Sequence, residues 1–379
     1  VDLDSKPEAE ALLSNMKNGM SGEQNAGCII DGEITGAQQT PIFSPQDRSA
    51  PIGFARNVND ELIEQAISVA SSSVTIWQTS DVSFRAKILQ NMADLLEENR
   101  SELIGLITKE AGRTIPDGIS EVREAADFCR YYAIQAEALF KPNNGVKGCG
   151  VFLCISPWNF PLAIYVGQIA AALVTRNAVL AKPAEPTPRI AMRATELFHQ
   201  AGVPTSVLQL VLGSGKQIGS RLLGDKRLSG VCFTGSTGVA KSIHRQLADR
   251  SGSPVPLIAE TGGQNCLVAD STALPEQLVD DVIASAFQSA GQRCSALRVL
   301  YIQEEIADKT LPCSRCDAIP NHRRPRAMST DVGPVIDPSA KESLESHAQR
   351  MDQICKQRFV LPLDETQSHG TSLLRAFMS

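Results

Sequence analysis

The chain has 379 residues, of which 42% are hydrophobic and 21% are charged, and its formal net charge is −6 at pH 7. That length suits two or three domains of ~100–200 residues, and the composition excludes wholesale disorder and the basic surface of a nucleic-acid-binding protein. No apolar run reaches the ~20 residues of a membrane span, the first residues lack the apolar core of a signal peptide, and the scattered cysteines indicate reduced thiols in the cytoplasm.

The first 150 residues predict a polar arm followed by helices. Residues 1–50 are mostly polar and contain several glycines, which indicates an arm over the surface with one or two short strands. The pattern that follows predicts three helices, over 60–72, 84–110 and 116–139. Gly112 is a stop signal for the second of them. Residues 143–145 predict a turn between two short extended pieces.

From residue 151 onwards, short apolar runs alternate with amphipathic segments. The runs, each typical of a buried strand, are 151–155, 178–181, 207–212, 230–234 and 256–260. Strands joined by helices at this spacing predict right-handed crossovers and a parallel sheet buried on both faces. Because ligands bind at the carboxyl ends of such strands, we expect a site built from residues 156–159, Lys182, 234–236 and Glu260.

Two glycine-rich segments are candidates for phosphate contact. GSGKQIG at 213–219 departs from the GxGxxG fingerprint and follows the third strand of the sheet, so a plain turn before a helix explains it equally well. FTGSTGVAKSI at 233–243 places Gly235, Ser236 and Thr237 at a helix N-terminus, whose amides and dipole bind phosphate. The alternative is an ordinary glycine turn with a serine cap.

Lys182 and Glu185 follow a buried strand in the proline-stiffened segment AKPAEPTP. A solvated charged loop is one interpretation of this pair, and a clamp on a ribose diol is the other. In the second interpretation, Glu185 beside the ribose 2′ position would repel a 2′-phosphate, which favours NAD over NADP.

Cys294 is predicted in a turn between a helix that ends near Ser289 and a strand over 298–302. Gly291 breaks the helix, and Arg293 together with free backbone amides can hold the thiol as a reactive thiolate. The alternative is a small buried hydrophobe. That alternative suits three cysteines in or near apolar runs: Cys154, Cys232 and Cys266.

Five segments, in order, resemble the aldehyde dehydrogenase superfamily: SPWNFPL at 156–162, AKPAEPTP at 181–188, FTGST at 233–237, ETGGQN at 260–265 and GQRCSALR at 291–298. Two more, EVREAADFCRYYA at 121–133 and LVADSTALPEQ at 267–277, resemble the dehydrogenase part of the bacterial proline utilization A proteins. Those proteins oxidise L-glutamate γ-semialdehyde, the open form of 1-pyrroline-5-carboxylate, to L-glutamate. The resemblance covers about residues 1–311 and 329–371.

The resemblance implies an α/β fold with a Rossmann-type parallel-sheet NAD-binding domain and an incomplete α/β catalytic domain. It implies an N-terminal arm over 1–50, the NAD-binding domain over 51–258 with a small oligomerisation hairpin near 137–150, and the catalytic domain over 259–379. The partners that it implies are NAD, a small-molecule aldehyde and, for an intact family member, a second copy in a homodimer.

The resemblance also implies roles for individual residues. Cys294 would attack the aldehyde carbon to give a thiohemiacetal and then a thioester. Asn159 and the Cys294 N–H would stabilise the oxyanion, and Glu260 would activate the hydrolytic water. Ser295 would bind the substrate carboxylate, and Glu124 would lie near its ammonium group. The implied NAD contacts are Ile155, Ser156, Pro157, Trp158, Lys182, Glu185, Gly215, Gly219, Phe233, Thr234, Gly235, Ser236, Thr261 and Gly262.

Two features depart from the family pattern. PCSRCDAIPNHRRPRAM at 312–328 has three prolines, four arginines and no helical periodicity, which suggests a locally out-of-frame stretch. Its single C-x-x-C, at Cys313 and Cys316, lacks the second pair of a zinc site, so no metal is predicted. The sequence also ends before the family's catalytic domain is complete.

Three functions therefore stay open. The motifs favour an NAD-dependent aldehyde dehydrogenase that acts on L-glutamate γ-semialdehyde in proline degradation. The early end favours a truncated, inactive remnant that at most binds nucleotide or another subunit. A cysteine hydrolase is a third alternative, which requires ester cleavage without any nucleotide.

Overall fold

A computed structural model describes residues 5–19, 22–141, 145–308, 310, 330–355, 358–361, 371 and 375–378. The chain divides into two compact units. The first unit comprises Val1–Phe43, Pro51–Glu110 and Gly118–Thr261, and the second comprises Ser44–Ala50, Ala111–Asp117 and Gly262–Ser379. The domain boundaries given above stay a prediction.

The first unit surrounds one large sheet with helices. Its helices are α1 (Lys6–Gly19), α2 (Asp60–Thr79), α3 (Val82–Glu98), α4 (Arg100–Ala111), α5 (Ile115–Leu139), α6 (Ala163–Val174), α7 (Pro188–Ala201), α8 (Gly215–Leu222) and α9 (Thr237–Ala248). The last residue of α4 and the first three residues of α5 belong to the second unit. Its strands are β1 (Ala26–Ile30), β2 (Glu33–Thr35), β3 (Gln38–Ile42), β4 (Gly53–Asn57), β5 (Val151–Ile155), β6 (Ala178–Lys182), β7 (Leu208–Leu210), β8 (Leu228–Gly235) and β9 (Leu257–Thr261).

The predicted parallel sheet is present. The strand order is β3-β4-β1-β7-β6-β5-β8-β9, with β2 paired to β1, and the neighbours from β7 to β9 are parallel. Leu153 of β5 pairs with Leu180 on one side and Val231 on the other, and all three are fully buried. Four of the five apolar runs form the largely buried strands β5 to β8, because a sheet covered on both faces needs near-continuous apolar residues. The expectation of a buried strand is wrong for the fifth run, because β9 is the last strand of the sheet and is largely exposed, with Ile258 56% exposed.

The N-terminal segment differs from the predicted surface arm. It contains α1 and three strands, and β1 is buried along its whole length. This strand lies between β4 and β7, where Ile29 pairs with Leu210. The short run AGCII is apolar enough to join the sheet, but its pairing partners are distant in sequence, so local pattern alone did not show the insertion.

The predicted helix over 84–110 is two helices. Asn99 separates α3 from α4 with φ −92° and ψ 13°, away from helical values. Its side-chain amide donates to the Leu95 carbonyl at 2.8 Å and its side-chain oxygen accepts from Arg193 at 3.0 Å. An asparagine side chain that bonds the backbone in this way competes with the helical ladder. The predicted stop is confirmed, because α4 ends at Ala111 and Gly112 has φ +68°.

The hairpin predicted near 137–150 is absent from the described residues of that stretch. The helix α5 continues to Leu139, and residues 145–150 belong to no strand. The backbone there bonds to side chains instead: Asn177 Oδ1 accepts from the N–H groups of Cys149 and Gly150 at 2.7 and 3.0 Å. An isolated two-stranded hairpin is marginally stable, and these side-chain partners satisfy the same groups. Residues 142–144 lie outside the described residues.

The second unit is built on a small parallel sheet. Its elements are β10 (Asn265–Ala269), α10 (Pro275–Phe287), β11 (Leu297–Ile302), α11 (Pro338–Met351), β12 (Arg358–Leu361) and β13 (Arg375–Met378). The strands β10 and β11 pair in parallel, and β12 and β13 pair antiparallel. The core consists of Ala269, Leu278, Val282, Leu297 and Ile306. The atypical stretch 312–328 lies outside the described residues.

The sheet of β10 and β11 also has an exposed apolar face, which we call the open face. It is formed by Cys266, Val268, Val299 and Tyr301, and Val268 lies opposite Tyr301 in the strand register. Separately, none of the helices that the structure describes is long and apolar enough to span a bilayer.

Candidate functional site

The carboxyl ends of β5, β6 and β8 meet at one edge of the first unit's sheet. The Ser156 N–H donates to the Lys182 carbonyl at 3.1 Å. Gln168 of α6 donates to the Ile155 carbonyl at 3.3 Å and to the Thr234 hydroxyl at 3.0 Å. The Ser156 hydroxyl is buried without a hydrogen-bond partner in the described structure, so this edge contains an unsatisfied polar atom.

The loop that carries Asn159 is anchored by a residue that the sequence analysis missed. Pro157 is buried, and Trp158 and Asn159 are half-buried between β5 and α6. The cap residue of α6, Leu162, makes no side-chain capping bond. Glu121 of α5 supplies the acceptor, at 2.7 Å from the Leu162 nitrogen and 3.3 Å from that of the next residue. A buried carboxylate at a helix N-terminus interacts favourably with the helix dipole.

The predicted Lys182–Glu185 pair converges with Gly215 of α8. Lys182 is only 5% exposed, so the solvated-loop interpretation does not hold for it. Burial lowers the pKa of Lys182, while the nearby Glu185 carboxylate acts in the opposite direction. The Gly215 N–H donates to Glu185 Oε1 at 3.3 Å, and a Cβ on Gly215 would lie 3.9 Å from the Lys182 ammonium. Gly219 lies one turn further along α8, where an added Cβ would be in ordinary contact with Leu223.

The turn between β8 and α9 has the predicted serine cap, and phosphate binding there stays a prediction. The Ser236 hydroxyl caps α9 by accepting from the Val239 N–H at 3.3 Å. Residues 236–239 are nevertheless exposed, and Gly238 has open space where a Cβ would stand. Gly235 has no such space, because a Cβ there would lie 2.6 Å from the buried Phe233 ring. The helix N-terminus is therefore accessible to an anion.

Glu260 ends the row of strand-end residues. It lies on β9, opposite Thr234 of β8 in the strand register, and its side chain is exposed. Thr261 follows half-buried, and Gly262 is exposed with open space where a Cβ would stand. The first unit thus brings the predicted strand-end residues to one edge of its sheet.

In the second unit, Cys294 follows a strained turn. Ser289, Ala290 and Gly291 have φ of 57°, 57° and 69°, three successive left-handed residues. Each non-glycine residue in this conformation costs about 1–2 kcal/mol. Cys294 and Ser295 are exposed, so the alternative of a small buried hydrophobe does not apply to Cys294.

Side-chain donors hold the carbonyl groups around Cys294. Asn265 Nδ2 donates to the carbonyls of Cys294 and Ala296 at 2.7 and 3.0 Å. Arg298 Nη2 donates to the carbonyls of Gly291 and Arg293 at 2.9 and 3.3 Å. The turn is therefore fixed from both sides by residues at the start of β10 and within β11.

Arg293 was expected to act beside the thiol, but its guanidinium also contacts a buried acid. Nη2 of Arg293 lies 3.6 Å from Asp117 Oδ1, and Nη2 of Arg113 lies 3.7 Å from the same oxygen. Thr114 donates to the other carboxylate oxygen at 2.9 Å. Asp117 is 1% exposed. Sequence reasoning missed this residue because its contact with Arg293 joins positions that are far apart in the chain.

The remaining predicted residues fall in different surroundings. Glu124 lies on α5 and lines a shallow cleft of about 580 Å³. Cys154 and Cys232 are buried, as expected, and pair with each other across β5 and β8. The expectation for Cys266 is wrong, because this residue is exposed on the open face.

Among the described residues, no group of three or more acidic, histidine or cysteine side chains could hold a metal ion.

Comparison with known proteins gives consistent matches. A model described as the aldehyde dehydrogenase family matches residues 34–360. The bifunctional protein PutA of Escherichia coli (strain K12) is 45% identical over 356 residues, which are 93% of this chain and 27% of that protein. The 1-pyrroline-5-carboxylate dehydrogenase of Geobacillus sp. (strain WCH70) is 35% identical over 333 residues, which are 82% of this chain and 64% of that enzyme.

A solved structure gives the fold. The 1-pyrroline-5-carboxylate dehydrogenase from Thermus with bound NAD matches at a TM-score of 0.93 and 23% identity, over 100% of this chain and 76% of that one. The predicted α/β fold is therefore confirmed. This chain spans about a quarter of the length of PutA and less than two thirds of the Geobacillus enzyme.

Proposed function

This chain belongs to the aldehyde dehydrogenase family, and from that premise we propose that it oxidises L-glutamate γ-semialdehyde to L-glutamate with NAD. The named relatives, PutA and 1-pyrroline-5-carboxylate dehydrogenase, support this substrate. The observation that carries the proposal is the exposed Cys294 thiol on a turn held by side-chain hydrogen bonds.

The first unit's strand ends fit NAD. The unpartnered Ser156 hydroxyl and the buried Lys182 ammonium are polar groups that a ribose or a phosphate would satisfy. The exposed amides at the start of α9 suit the pyrophosphate. Glu185, held by the Gly215 N–H, would repel a 2′-phosphate, so NAD is preferred over NADP. When bound, NAD supplies the acceptor for the hydride that leaves the substrate carbon.

The chain's own residues supply the remaining chemistry. The Cys294 sulfur forms a bond to the aldehyde carbon, and the Asn159 amide and the Cys294 N–H donate to the resulting oxyanion, each donor contributing about 3 kcal/mol in such sites. After oxidation the carbon is held as a thioester. Glu260 accepts a proton from the water that hydrolyses it. Ser295 and Glu124 are assigned to the carboxylate and ammonium of the substrate.

Two further points belong to the same proposal. A cytoplasmic location is consistent with the cysteines that the structure describes, all of which are free thiols. A homodimer is the expected assembly for an intact family member.

The test is NADH formation from 1-pyrroline-5-carboxylate, with Cys294→Ala as the control. We expect turnover by the unmodified chain and none by the variant, while both bind NAD in a calorimeter. NAD binding without turnover by either protein would instead support the inactive nucleotide-binding remnant. Ester cleavage without any nucleotide, and no NADH, would support the cysteine hydrolase.

A further inference from the structure

The backbone N–H of Cys294 has no hydrogen-bond partner in the described structure. It belongs to the same peptide unit as the Arg293 carbonyl, and the next peptide unit contains the Cys294 carbonyl. A trans peptide is planar, with its N–H and C=O pointing in opposite directions. Whatever holds the Arg293 carbonyl therefore sets the direction of the Cys294 N–H, and whatever holds the Cys294 carbonyl limits rotation about the Cα between the two peptide units.

Each of the two carbonyls accepts from one particular side chain. Asn265 Nδ2 lies 2.7 Å from the Cys294 oxygen, and Arg298 Nη2 lies 3.3 Å from the Arg293 oxygen. Asn265 donates to two carbonyl oxygens, those of Cys294 and Ala296. Its NH₂ group must therefore face them, because the amide oxygen can only accept hydrogen bonds. The Arg293 oxygen also accepts from the Ala296 N–H at 3.2 Å, which makes Arg298 the less critical of the two.

The strain in the turn explains why such donors are needed. Three successive left-handed residues precede Cys294, and strained backbone persists only where surrounding contacts hold it. Arg298 holds the Gly291 carbonyl at the end of this run. Without the donors, the turn would relax toward commoner conformations and the N–H of Cys294 would turn with it.

We propose that Asn265 and Arg298 are positioning residues that hold the peptide units on either side of the Cys294 Cα and direct its N–H toward the oxyanion. This rests on the proposed role of Cys294 as the nucleophile. Both side chains act through backbone carbonyl groups. Their effect is specific to reactions in which negative charge develops on an oxygen bonded to the attacked carbon.

Two reagents that need no NAD separate this role from general support of the turn. With p-nitrophenyl acetate, the thiolate bonds to the carbonyl carbon, an oxyanion forms, and p-nitrophenolate leaves as the S-acetyl product forms. With iodoacetamide, the thiolate displaces iodide from carbon and no oxyanion forms. Peptide mass spectrometry gives both rates at Cys294, apart from the other cysteines.

The variants are Asn265→Ala, Asn265→Asp and Arg298→Met, with Gln264→Ala as an exposed neighbouring control. We expect the ratio of acylation to alkylation at Cys294 to fall about tenfold or more in both Asn265 variants. It should fall less in Arg298→Met and stay unchanged in Gln264→Ala. Since Arg298 is exposed, its variant keeps the test valid if an Asn265 variant fails to fold.

An unchanged ratio of acylation to alkylation in the Asn265 variants would overturn the proposal, whether both rates stay the same or both fall by the same factor. Absence of Cys294 acylation in the unmodified chain would overturn it as well. Failure of the dehydrogenase assignment is distinguishable, because it appears as no NADH formation by a chain whose acylation ratio still depends on Asn265.

Discussion

Ala290 adopts φ 57° within the turn that precedes Cys294, a conformation that an alanine side chain disfavours. Glycine takes the same backbone angles without the steric cost, although it loses more chain entropy on folding. The family motif indicated Cys294 but not this strain, because alanine is not a residue type that favours the left-handed region.

Ala290→Gly should therefore stabilise the protein by about 0.5–1 kcal/mol, because the strain that it relieves exceeds the extra conformational entropy that glycine loses on folding. The matched control is Ala284→Gly, which places glycine at an exposed position of the helix α10 and should destabilise by about 1 kcal/mol. Urea unfolding of the three proteins measures both effects. Loss of stability in both variants would contradict the strained conformation at Ala290.

At the scale of elements, sequence patterns predicted the strands whose formation depends on residues that are neighbours in the chain. The strands β5, β6, β8 and β9 follow from short apolar runs, and the strand-end positions of Lys182 and Glu260 follow from those strands. The contacts of Glu121 with the start of α6 and of Asn265 with the Cys294 turn join residues far apart in the chain. No local pattern reports such contacts, so sequence reasoning missed them.

Glu110 is a further contact of this kind. It is fully buried on α4 and accepts from the N–H groups of Arg189 and Ile190, at 2.9 and 2.8 Å, at the start of α7. Burial raises its pKa to about 7, against the lowering effect of these two donors. The pKa of glutamate in the unfolded chain is about 4.3. Between about pH 4.3 and about pH 7, Glu110 therefore carries a proton in the folded protein but not in the unfolded chain.

The free energy of unfolding should consequently fall as pH rises through this interval, by up to about 3 kcal/mol from Glu110 alone. Glu110→Gln removes the titration. Urea unfolding at pH 5 and pH 8 should show a larger loss for the unmodified protein than for this variant, with the exposed Glu98→Gln behaving like the unmodified protein. Equal pH dependence in all three proteins would refute the raised pKa.

At the scale of the whole molecule, the open face on β10 and β11 is the feature that we expect to affect self-association in solution. Val268 is 74% exposed, Tyr301 59% and Val299 40%, and the three lie on adjacent parallel strands. A contiguous apolar patch of this kind promotes association, whereas a single exposed apolar side chain does not.

Val268→Lys should lower concentration-dependent self-association, because a charge in the open face must be desolvated when two copies meet there. Ile76→Lys is the control, since Ile76 is 79% exposed on α2 and is not part of that face. Light scattering over a range of protein concentrations measures the effect. Equal scattering by the two variants would show that the open face is not the cause.

The central claim is that Cys294 carries the substrate as an acyl group during aldehyde oxidation. The most direct measurement is peptide mass spectrometry of acid-quenched Glu260→Gln protein mixed with NAD and 1-pyrroline-5-carboxylate. Because that variant lacks the proposed base for hydrolysis, the account predicts a glutamyl thioester on Cys294, formed in step with NADH. NADH formation with Cys294 unmodified, or an acyl group on another cysteine, would contradict it.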